Sequence, residues 1–383
     1  MKSEWAKKRL SDIADFNPRE TIKKGAIAKK IPMDVIRPFC RDIPYYVEEC
    51  FSGGTKFRNG DTIMARITPC LENGKTAKVS ILNDREVGFG STEYIVFRAK
   101  EGIADEDYLY YLVCSPEVRE PAIKSMVGSS GRQRVQTDVV KAIEIEVPPL
   151  AEQVKIGAFL KLIDDKIALN DRINKNLEQQ AAAVFNKFYD ASTNQQPFTT
   201  LINVLGGGTP KTGNPEFWDG SIPFFTPKDV GTPYTFKTEK YITELGLKHC
   251  NSRLYPTNTT FVTARGTVGK ISLAGAPMAM NQSCYALTSD IVDPLLVYFY
   301  VLKAVNALKH KASGAVFDAI VTRDFDGEII NILSDADSEA ALSIIKPMME
   351  AIHNNSKENM RLSAVRDTLL LKLMSGELDV SDL

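Results

Sequence analysis

The apolar positions between residues 151 and 190 recur with the spacing of a long amphipathic helix. One set falls every seven residues, and a second set keeps the same interval four residues later. Each set has an asparagine at its centre. Seven-residue spacing over about five repeats is typical of a coiled-coil helix that pairs with another helix. The first set is Ile156, Ile163, Asn170, Leu177 and Val184, and the second is Leu160, Ile167, Asn174, Ala181 and Phe188.

A second helical pattern occupies residues 336–383, again with apolar positions first and polar positions in the middle. Pro347 predicts a kink or a delayed start, and we place the beginning of the helix near Ser338. Polar residues at a seam fix the register of a helix pair, so the two helices are expected to pair with each other, antiparallel. The alternative is that each packs as an ordinary core helix on its own domain. The seam positions are Leu342, Ile345, Met349 and Ile352, followed by Ser356 and Asn359.

The segments before these helices, residues 1–150 and 191–335, show strand and turn signals in the same order. Such internal repetition predicts a tandem of domain, helix, domain and helix. The two helices would then hold two similar domains at a fixed separation, related by an approximate two-fold axis. The matched pairs are Ala65-Arg66 with Ala264-Arg265, Gly74-Lys75 with Gly269-Lys270, Gly90-Ser91-Thr92 with Asn281-Gln282-Ser283, Asp107 with Asp293, Ser130-Gly131 with Ser313-Gly314, and Asp138 with Asp324.

Composition narrows the class of protein. The chain has 383 residues, 44% of them hydrophobic and 25% charged, as in a globular protein with two domains. No apolar run reaches the roughly 18 residues that span a bilayer, and the N-terminus lacks the apolar core of a signal peptide. The six cysteines are scattered and form no C-x-x-C pair. These features predict a cytoplasmic protein with no membrane segment and no zinc site.

Net charge of −1 conceals an uneven distribution, because Lys and Arg outnumber Asp and Glu by eleven to five in residues 1–41. A neutral total can hide a basic face that meets phosphate. Arginine and glutamine read guanine and adenine edges through paired hydrogen bonds, so basic loop residues are the candidate DNA contacts; solvated surface turns are the alternative. The candidates are Arg132, Gln133 and Arg134, Lys211 and Lys228, and the matched pairs Arg66 with Arg265 and Lys75 with Lys270. Residues present in both copies are expected to contact phosphate or to be structural.

Several sequence motifs in the chain resemble motifs of the type I restriction-modification specificity subunits. The junction at residues 147–153, Val-Pro-Pro-Leu-Ala-Glu-Gln before a long helix, is similar to theirs. Residues 206–229 resemble the opening of a target recognition domain of that family. Two further segments, residues 57–75 and 88–93, resemble target recognition domains from another branch of the same family. The likeness covers essentially the whole chain. The second junction, residues 332–339, departs from it because it lacks the Pro-Pro-Leu and the Gln.

The resemblance implies an α+β fold in which two repeated target recognition domains, each a twisted β-sheet with short helices, are separated by two long antiparallel coiled-coil helices. It assigns residues 1–150 and 191–335 to the domains and 151–190 and 336–383 to the helices. It also implies that the chain recognises a bipartite, asymmetric sequence in double-stranded DNA and needs no cofactor. Two methyltransferase subunits and, through the complex, restriction subunits are the expected partners. The helix interface is assigned to Ile156, Leu160, Ile163, Ile167, Leu177, Leu342, Ile345, Met349 and Ile352.

Sequence motifs for nucleotide binding, metal binding or catalysis are weak in this chain. Residues 206–212 contain glycines, a lysine and a threonine, but not with the spacing of a phosphate-binding loop. Asp61 with residues 72–75 resembles a nuclease metal site, but the residues lack the spacing that such a site needs. The three histidines form no ligand cluster. The chain is therefore predicted to be non-catalytic and to hold no metal. A stand-alone DNA methyltransferase or nuclease, or a coiled-coil adaptor that does not bind DNA, are the alternatives.

Overall fold

The computed structural model describes residues 5–231, 233–311 and 319–380. The chain divides into two compact units: unit 1 consists of Met1–Leu169 and Asn359–Leu383, and unit 2 of Asn170–Glu358. The predicted match of Ser130-Gly131 with Ser313-Gly314 lies outside the described residues.

Unit 1 contains three sheets and four short helices among its described residues, besides its parts of the long helices. Its first sheet is antiparallel, with strand order β2-β9-β6-β7; the second has order β4-β3-β8-β5, with β3 parallel to β8; and β1 pairs with β10. The elements are β1 (Ala6–Arg9), α1 (Leu10–Ile13), β2 (Ala14–Phe16), β3 (Ile27–Ile31), β4 (Val47–Cys50), β5 (Thr55–Phe57), β6 (Thr62–Ala65), β7 (Thr76–Lys78), β8 (Gly88–Gly90), β9 (Tyr94–Ala99), α2 (Glu106–Cys114), α3 (Pro116–Lys124), α4 (Thr137–Lys141) and β10 (Glu144–Val147).

Unit 2 has a similar arrangement, with five strands in its first sheet and three in its second. One sheet has order β12-β19-β16-β17-β14, a second has order β15-β13-β18 with β13 parallel to β18, and β11 pairs with β20. The elements are β11 (Gln195–Pro197), α6 (Phe198–Leu201), β12 (Asn203–Gly206), β13 (Trp218–Phe225), β14 (Tyr234–Thr235), β15 (Lys240–Ile242), α7 (Glu244–Lys248), β16 (Thr260–Thr263), β17 (Ile271–Ala274), β18 (Ala279–Met280), β19 (Cys284–Thr288), α8 (Pro294–Lys311), α9 (Thr322–Asp326) and β20 (Ile329–Asn331).

Backbone hydrogen bonds fix which residues of the two units are equivalent, and they correct part of the sequence matching. The Arg66 amide donates to the Glu93 carbonyl, and the Ala264 amide donates to the Ser283 carbonyl. Arg66 is therefore equivalent to Ala264, and Arg265 is equivalent to Ile67. The predicted match of Arg66 with Arg265 is wrong by one residue.

Two further matches are also displaced, the turn match by one residue and the Asp107 match by two, whereas the Gly-Lys match is unchanged. The turn before β9 begins at Ser91 and the turn before β19 begins at Asn281, because each side-chain oxygen accepts from the amide two residues later. Asp105 rather than Asp107 caps α2, as Asp293 caps α8. Gly74 and Gly269 both have φ of +73°, a conformation that glycine adopts at little cost. Lys75 and Lys270 consequently occupy equivalent positions.

The two long helices pack together, as predicted. They are α5 (Leu150–Ala191) and α10 (Asp335–Met374), so the second begins three residues before Ser338 and continues through Pro347. Within unit 1, Asp164 pairs with Arg366, and the Ile167 carbonyl accepts from Asn359. Within unit 2, Asn170 bonds Glu358 and Asn174 bonds Asn355. In each unit the contact partners run in opposite directions along the two helices, so the packing is antiparallel.

The predicted interface residues differ in burial. Buried members are Ile156 and Leu160 in the core of unit 1, and Ile345, Met349 and Ile352 in the core of unit 2. Ile163, Ile167, Leu177 and Leu342 are half-buried. Phe185 is buried where the seven-residue pattern would place Val184, because a helix of 3.6 residues per turn drifts relative to a strict heptad.

The first turns of the two long helices differ at one position. Gln153 is 1% exposed; its amide group donates to the carbonyls of Ile103 and Pro148 and accepts from the amide of Asp105. Ser338 takes the equivalent place in unit 2, since Gln153 and Ser338 are each the fourth residue of their helix. A groove of about 880 Å³ lies beside α10 at this point, lined in part by Asp293, Ser338 and Leu342.

Replacing Gln153 with alanine is expected to lower the free energy of unfolding by about 1–3 kcal/mol, because the buried Pro148 carbonyl and two partly buried backbone groups lose their partner. The matched change Ser338→Ala should cost less than about 0.5 kcal/mol, as is usual away from such features. Urea denaturation of the purified chain measures both. Equal costs for the two variants would contradict the assignment of Gln153 as the residue that ties α5 to the loop before α2.

Candidate nucleic-acid interface

In unit 1, three strand ends meet at one edge of the first sheet. Ala65 at the end of β6 pairs with Tyr94 at the start of β9, and Met64 pairs with Thr76 at the start of β7. The side chains next to these ends therefore share one surface. We call it the strand-end surface of unit 1, formed by Arg66, Lys75, Glu93, Arg132, Gln133 and Arg134.

The centre of this surface is a cluster of two arginines about one carboxylate. Arg134 Nε lies 2.9 Å from Glu93 Oε1, and its Nη2 lies 2.7 Å from the same oxygen. Arg66 Nε is 3.9 Å from Glu93 Oε2. Hydrogen bonds from Arg134 hold the pKa of the Glu93 carboxyl below its ordinary value despite partial burial, and the charge of Arg66 acts in the same direction. Glu93 is thus a carboxylate at neutral pH.

Backbone contacts hold the segment that carries Arg134. Its amide donates to the Val127 carbonyl and its carbonyl accepts from the Val127 amide, at 2.9 and 3.0 Å. The Gln133 carbonyl accepts from the Thr68 amide, and the Gln133 amide donates to Thr68 Oγ1. Arg132 lies at the exposed tip of the same loop. The three predicted contacts of this loop are thus neighbours of Arg66 on one surface.

Lys75 lies at the same edge, but its side chain is engaged within the fold. Its Nζ donates to the Met33 carbonyl at 2.8 Å, and the side chain is half-buried. Arg119 braces the preceding turn by donating to the Glu72 carbonyl at 2.7 Å. In this structure Lys75 connects the turn before β7 with the turn after β3.

The equivalent edge of unit 2 carries different groups. Arg265 and Lys270 are exposed beside the ends of β16 and β17. Thr209 hydrogen-bonds Gln282, which joins the loop after β12 to the turn before β19. Lys211, in the same loop, is also exposed. We call Thr209, Lys211, Lys228, Arg265, Lys270 and Gln282 the strand-end surface of unit 2.

Lys228 has an acidic counterpart in unit 1. The Val35 amide donates to the Pro32 carbonyl, and the Asp229 amide donates to the Thr226 carbonyl, so the turns after β3 and β13 are alike. Asp34 and Lys228 are then equivalent. Lys228 is 78% exposed and lies 3.4 Å from Glu239. An exposed pair of this kind contributes little stability, so Lys228 is available to another anion.

The nuclease-like match at Asp61 is explained by an internal ion pair. Asp61 is 1% exposed and receives two 2.7 Å hydrogen bonds from Arg98, together with one from the Arg58 amide. Glu20 accepts from Arg98 beside it. Both oxygens of Asp61 are therefore engaged in holding β6 and β9 together. Among the described residues there is no group of three or more potential metal ligands.

Sequence reasoning missed Glu93 and Gln282 on these surfaces, and it also missed Asp34, the counterpart of Lys228 in unit 1. Glu93 lies in the segment 88–93 that resembles the family, but an acidic residue gives no signal in a search for basic DNA contacts. Its role is visible only from the distances to Arg66 and Arg134. Gln282 could have been found from the adenine-reading chemistry that selected Gln133.

A family model described as the type I restriction modification DNA specificity domain matches residues 2–179 and 199–362. The chain belongs to this family. Its domain occurs twice, and the two matches fall mainly in unit 1 and unit 2. The α+β fold predicted from the sequence, with a repeated recognition domain and two long packed helices, is confirmed. No helix within the described residues combines the length and the apolar character needed to span a membrane.

Several relatives in this specificity family are similar to the chain. The type I restriction enzyme HindI specificity subunit of Haemophilus influenzae is 23% identical, covering 84% of this chain and 87% of that protein. The MjaIX specificity subunit of Methanocaldococcus jannaschii is 28% identical, but the match spans only 42% of this chain and 39% of that protein. The crystal structure of the type I restriction-modification S subunit from M. genitalium has 14% identity, a TM-score of 0.58, and coverage of 97% and 96%. That last likeness concerns the fold alone.

Proposed function

We propose that this specificity-family chain is the DNA-reading subunit of a type I restriction-modification complex, and that each unit reads one half of a bipartite, asymmetric site. The observation that supports this is a difference between two copies of one fold. Equivalent strand-end positions carry Asp34 and Lys228, Glu93 and Ser283, and Arg66 and Ala264. Base edges are distinguished by the donors and acceptors offered to them, so two unlike surfaces suit two unlike half-sites.

The chain itself supplies no chemistry in this proposal. Two methyltransferase subunits modify the site and restriction subunits join through the complex, in the cytoplasm where the DNA lies. The family membership supports these partners. The predicted contacts Arg132, Gln133 and Lys211, which are exposed or half-buried, extend the two surfaces, and Lys270 takes the role of a phosphate contact. No cofactor or metal is assigned to the chain.

Replacing residues 1–150 by the equivalent domain of a relative is expected to change one half of the methylated sequence and to leave the other half intact. The physical reason is that each unit has its own core and its own strand-end surface. The chimera and the parent chain would be expressed with the same methyltransferase subunits, and methylated sites would be mapped by sequencing.

The purified chain without partners provides the control and should transfer no methyl group to DNA. A simultaneous change in both halves of the site would argue against independent readers. Methyl transfer by the isolated chain would instead favour a stand-alone DNA methyltransferase. Methylation by the complex without any preferred DNA sequence would favour a coiled-coil adaptor that does not bind DNA.

We further propose that α5 and α10 set the number of unspecified base pairs between the half-sites. The two helices have 42 and 40 residues, which corresponds to roughly 60 Å of helix at about 1.5 Å per residue. Polar pairs between the helices, Asn170 with Glu358 and Asn174 with Asn355, support a fixed register in unit 2. A fixed register keeps the two helices from sliding along each other.

A further inference from the structure

Each unit has an isolated antiparallel bridge beside its strand-end surface, and the two bridges are equivalent. Ile67 pairs with Arg134 in unit 1, and Arg265 pairs with Ala319 in unit 2. The Val135 amide donates to the Arg66 carbonyl at 2.8 Å, as the Ile320 amide does to the Ala264 carbonyl at 2.9 Å. Each bridge therefore has one arginine, but on opposite members of the pair.

The position of the arginine within the bridge determines where its side chain starts on the strand-end surface. Residues directly opposite each other in an antiparallel pair extend their side chains from the same face, with Cβ atoms about 5 Å apart. Relative to its own strand-end surface, the attachment point of the Arg265 side chain therefore differs from that of the Arg134 side chain by about 5 Å. Successive bases along a strand are about 3.4 Å apart. The displacement corresponds to between one and two bases.

Glu93 fixes the orientation of one of these arginines. It binds the edge of the Arg134 guanidinium formed by Nε and Nη2. Arginine has five N–H donors, so Nη1 and the second hydrogen of Nη2 still point away from the carboxylate. Two parallel donors in that arrangement match O6 and N7 of guanine. Ser283 replaces Glu93 in unit 2, so Arg265 has no carboxylate at the equivalent place.

We propose that the bridge arginine, Arg134 in unit 1 and Arg265 in unit 2, is the guanine-reading residue of its unit, and that Glu93 is the positioning residue for Arg134. The inference rests on the proposed function and gives it a residue-level cause. The two units read different half-sites because the arginine has changed sides of the bridge and because only one of the two is held by a carboxylate.

The first test compares single substitutions by sequencing the methylated sites of the complete complex. Arg134→Ala is expected to relax one guanine position in one half-site by roughly 10- to 100-fold and to leave the other half-site unchanged. Arg265→Ala should relax one position in the other half-site. If either variant lowered methylation evenly over all sequences, that arginine would be a phosphate contact and the inference would be wrong for it.

The second test concerns Glu93. Glu93→Gln keeps the size of the side chain but removes its charge, and should relax the same base position as Arg134→Ala, to a smaller degree. Glu93→Asp should restore part of the preference. Glu72→Gln, an exposed residue of the same unit, is the matched control and should change nothing. A Glu93→Gln variant with unchanged preference, or one that loses thermal stability with no change at that base, would show that Glu93 is only structural.

The third test moves the arginine across the bridge. The double variant Ile67→Arg with Arg134→Ala places the arginine of unit 1 on the same side of the bridge as in unit 2, so the specified guanine should shift by one or two bases while the other half-site stays constant. A double variant that still specifies guanine at the original base would overturn the inference. If it fails to fold, the single substitutions decide. Parent complexes that methylate no bipartite sequence at all would instead refute the proposed function.

Discussion

Replacing Arg366 with alanine is expected to lower the free energy of unfolding by about 3–5 kcal/mol, because it leaves the charge of a buried partner uncompensated. Arg366 Nη1 lies 2.7 Å from Asp164 Oδ1, and these side chains are 10% and 6% exposed. Tyr111 donates to the other oxygen of Asp164 at 2.7 Å. Burial alone would lower the pKa of the Arg366 guanidinium, but Asp164 and Asp367 raise it above its ordinary value.

Chemical denaturation of the purified chain measures this cost. Asp367→Ala is the matched control, because it removes the exposed partner of the same arginine and should cost less than about 1 kcal/mol. The double variant Asp164→Leu with Arg366→Leu should be less damaging than Arg366→Ala, since no charge is left buried. A cost below about 1 kcal/mol for Arg366→Ala would mean that the pair does not hold α10 against α5 in unit 1.

Inserting four residues into α5 after Leu177, with four more opposite them in α10, is expected to lengthen the gap between the half-sites by one or two bases. Four residues add roughly 6 Å to a helix, close to two base steps of about 3.4 Å. Four is not a whole heptad, so some stability should be lost to local unwinding. The half-site sequences should persist because the strand-end surfaces are untouched.

Sequencing of the methylated sites decides this prediction as well. The control replaces exposed residues of the same helix, Lys175 and Gln179, with alanine and keeps its length. The gap should then stay as in the parent. An unchanged gap in an active insertion variant would show that something other than helix length sets the spacing.

Comparison of the two repeats shows how far sequence reasoning reached and where it failed. Matching by residue identity placed Arg66 with Arg265, because an Ala-Arg pair occurs at both sites. The hydrogen bonds to Glu93 and Ser283 place Arg66 with Ala264 instead. A slip of one residue in an extended segment moves a side chain to the opposite face, so the error concealed the exchange of arginine between the two bridges.

Patterns that repeat along the chain were sufficient for the architecture. The heptad spacing predicted both long helices because one buried stripe must recur every three or four residues. The order of turn glycines and strands predicted the repeat, since a φ of +73° at Gly74 and Gly269 favours glycine in both copies. The motif at residues 147–153 carried part of the family resemblance. The burial of Gln153, which bonds the loop before α2, gives a physical reason for a glutamine at this position.

The arrangement of the site was decided only by tertiary structure. Arg66, Glu93 and Arg134 are separated by 27 and 41 positions in the chain, and no local spacing predicts that one carboxylate lies between two guanidiniums. Antiparallel pairing of β6 with β9, together with the bridge from Ile67 to Arg134, brings them together. Local sequence determines which residues are buried in a helix or strand, whereas contacts between distant segments depend on strand register, and register determines which charges meet.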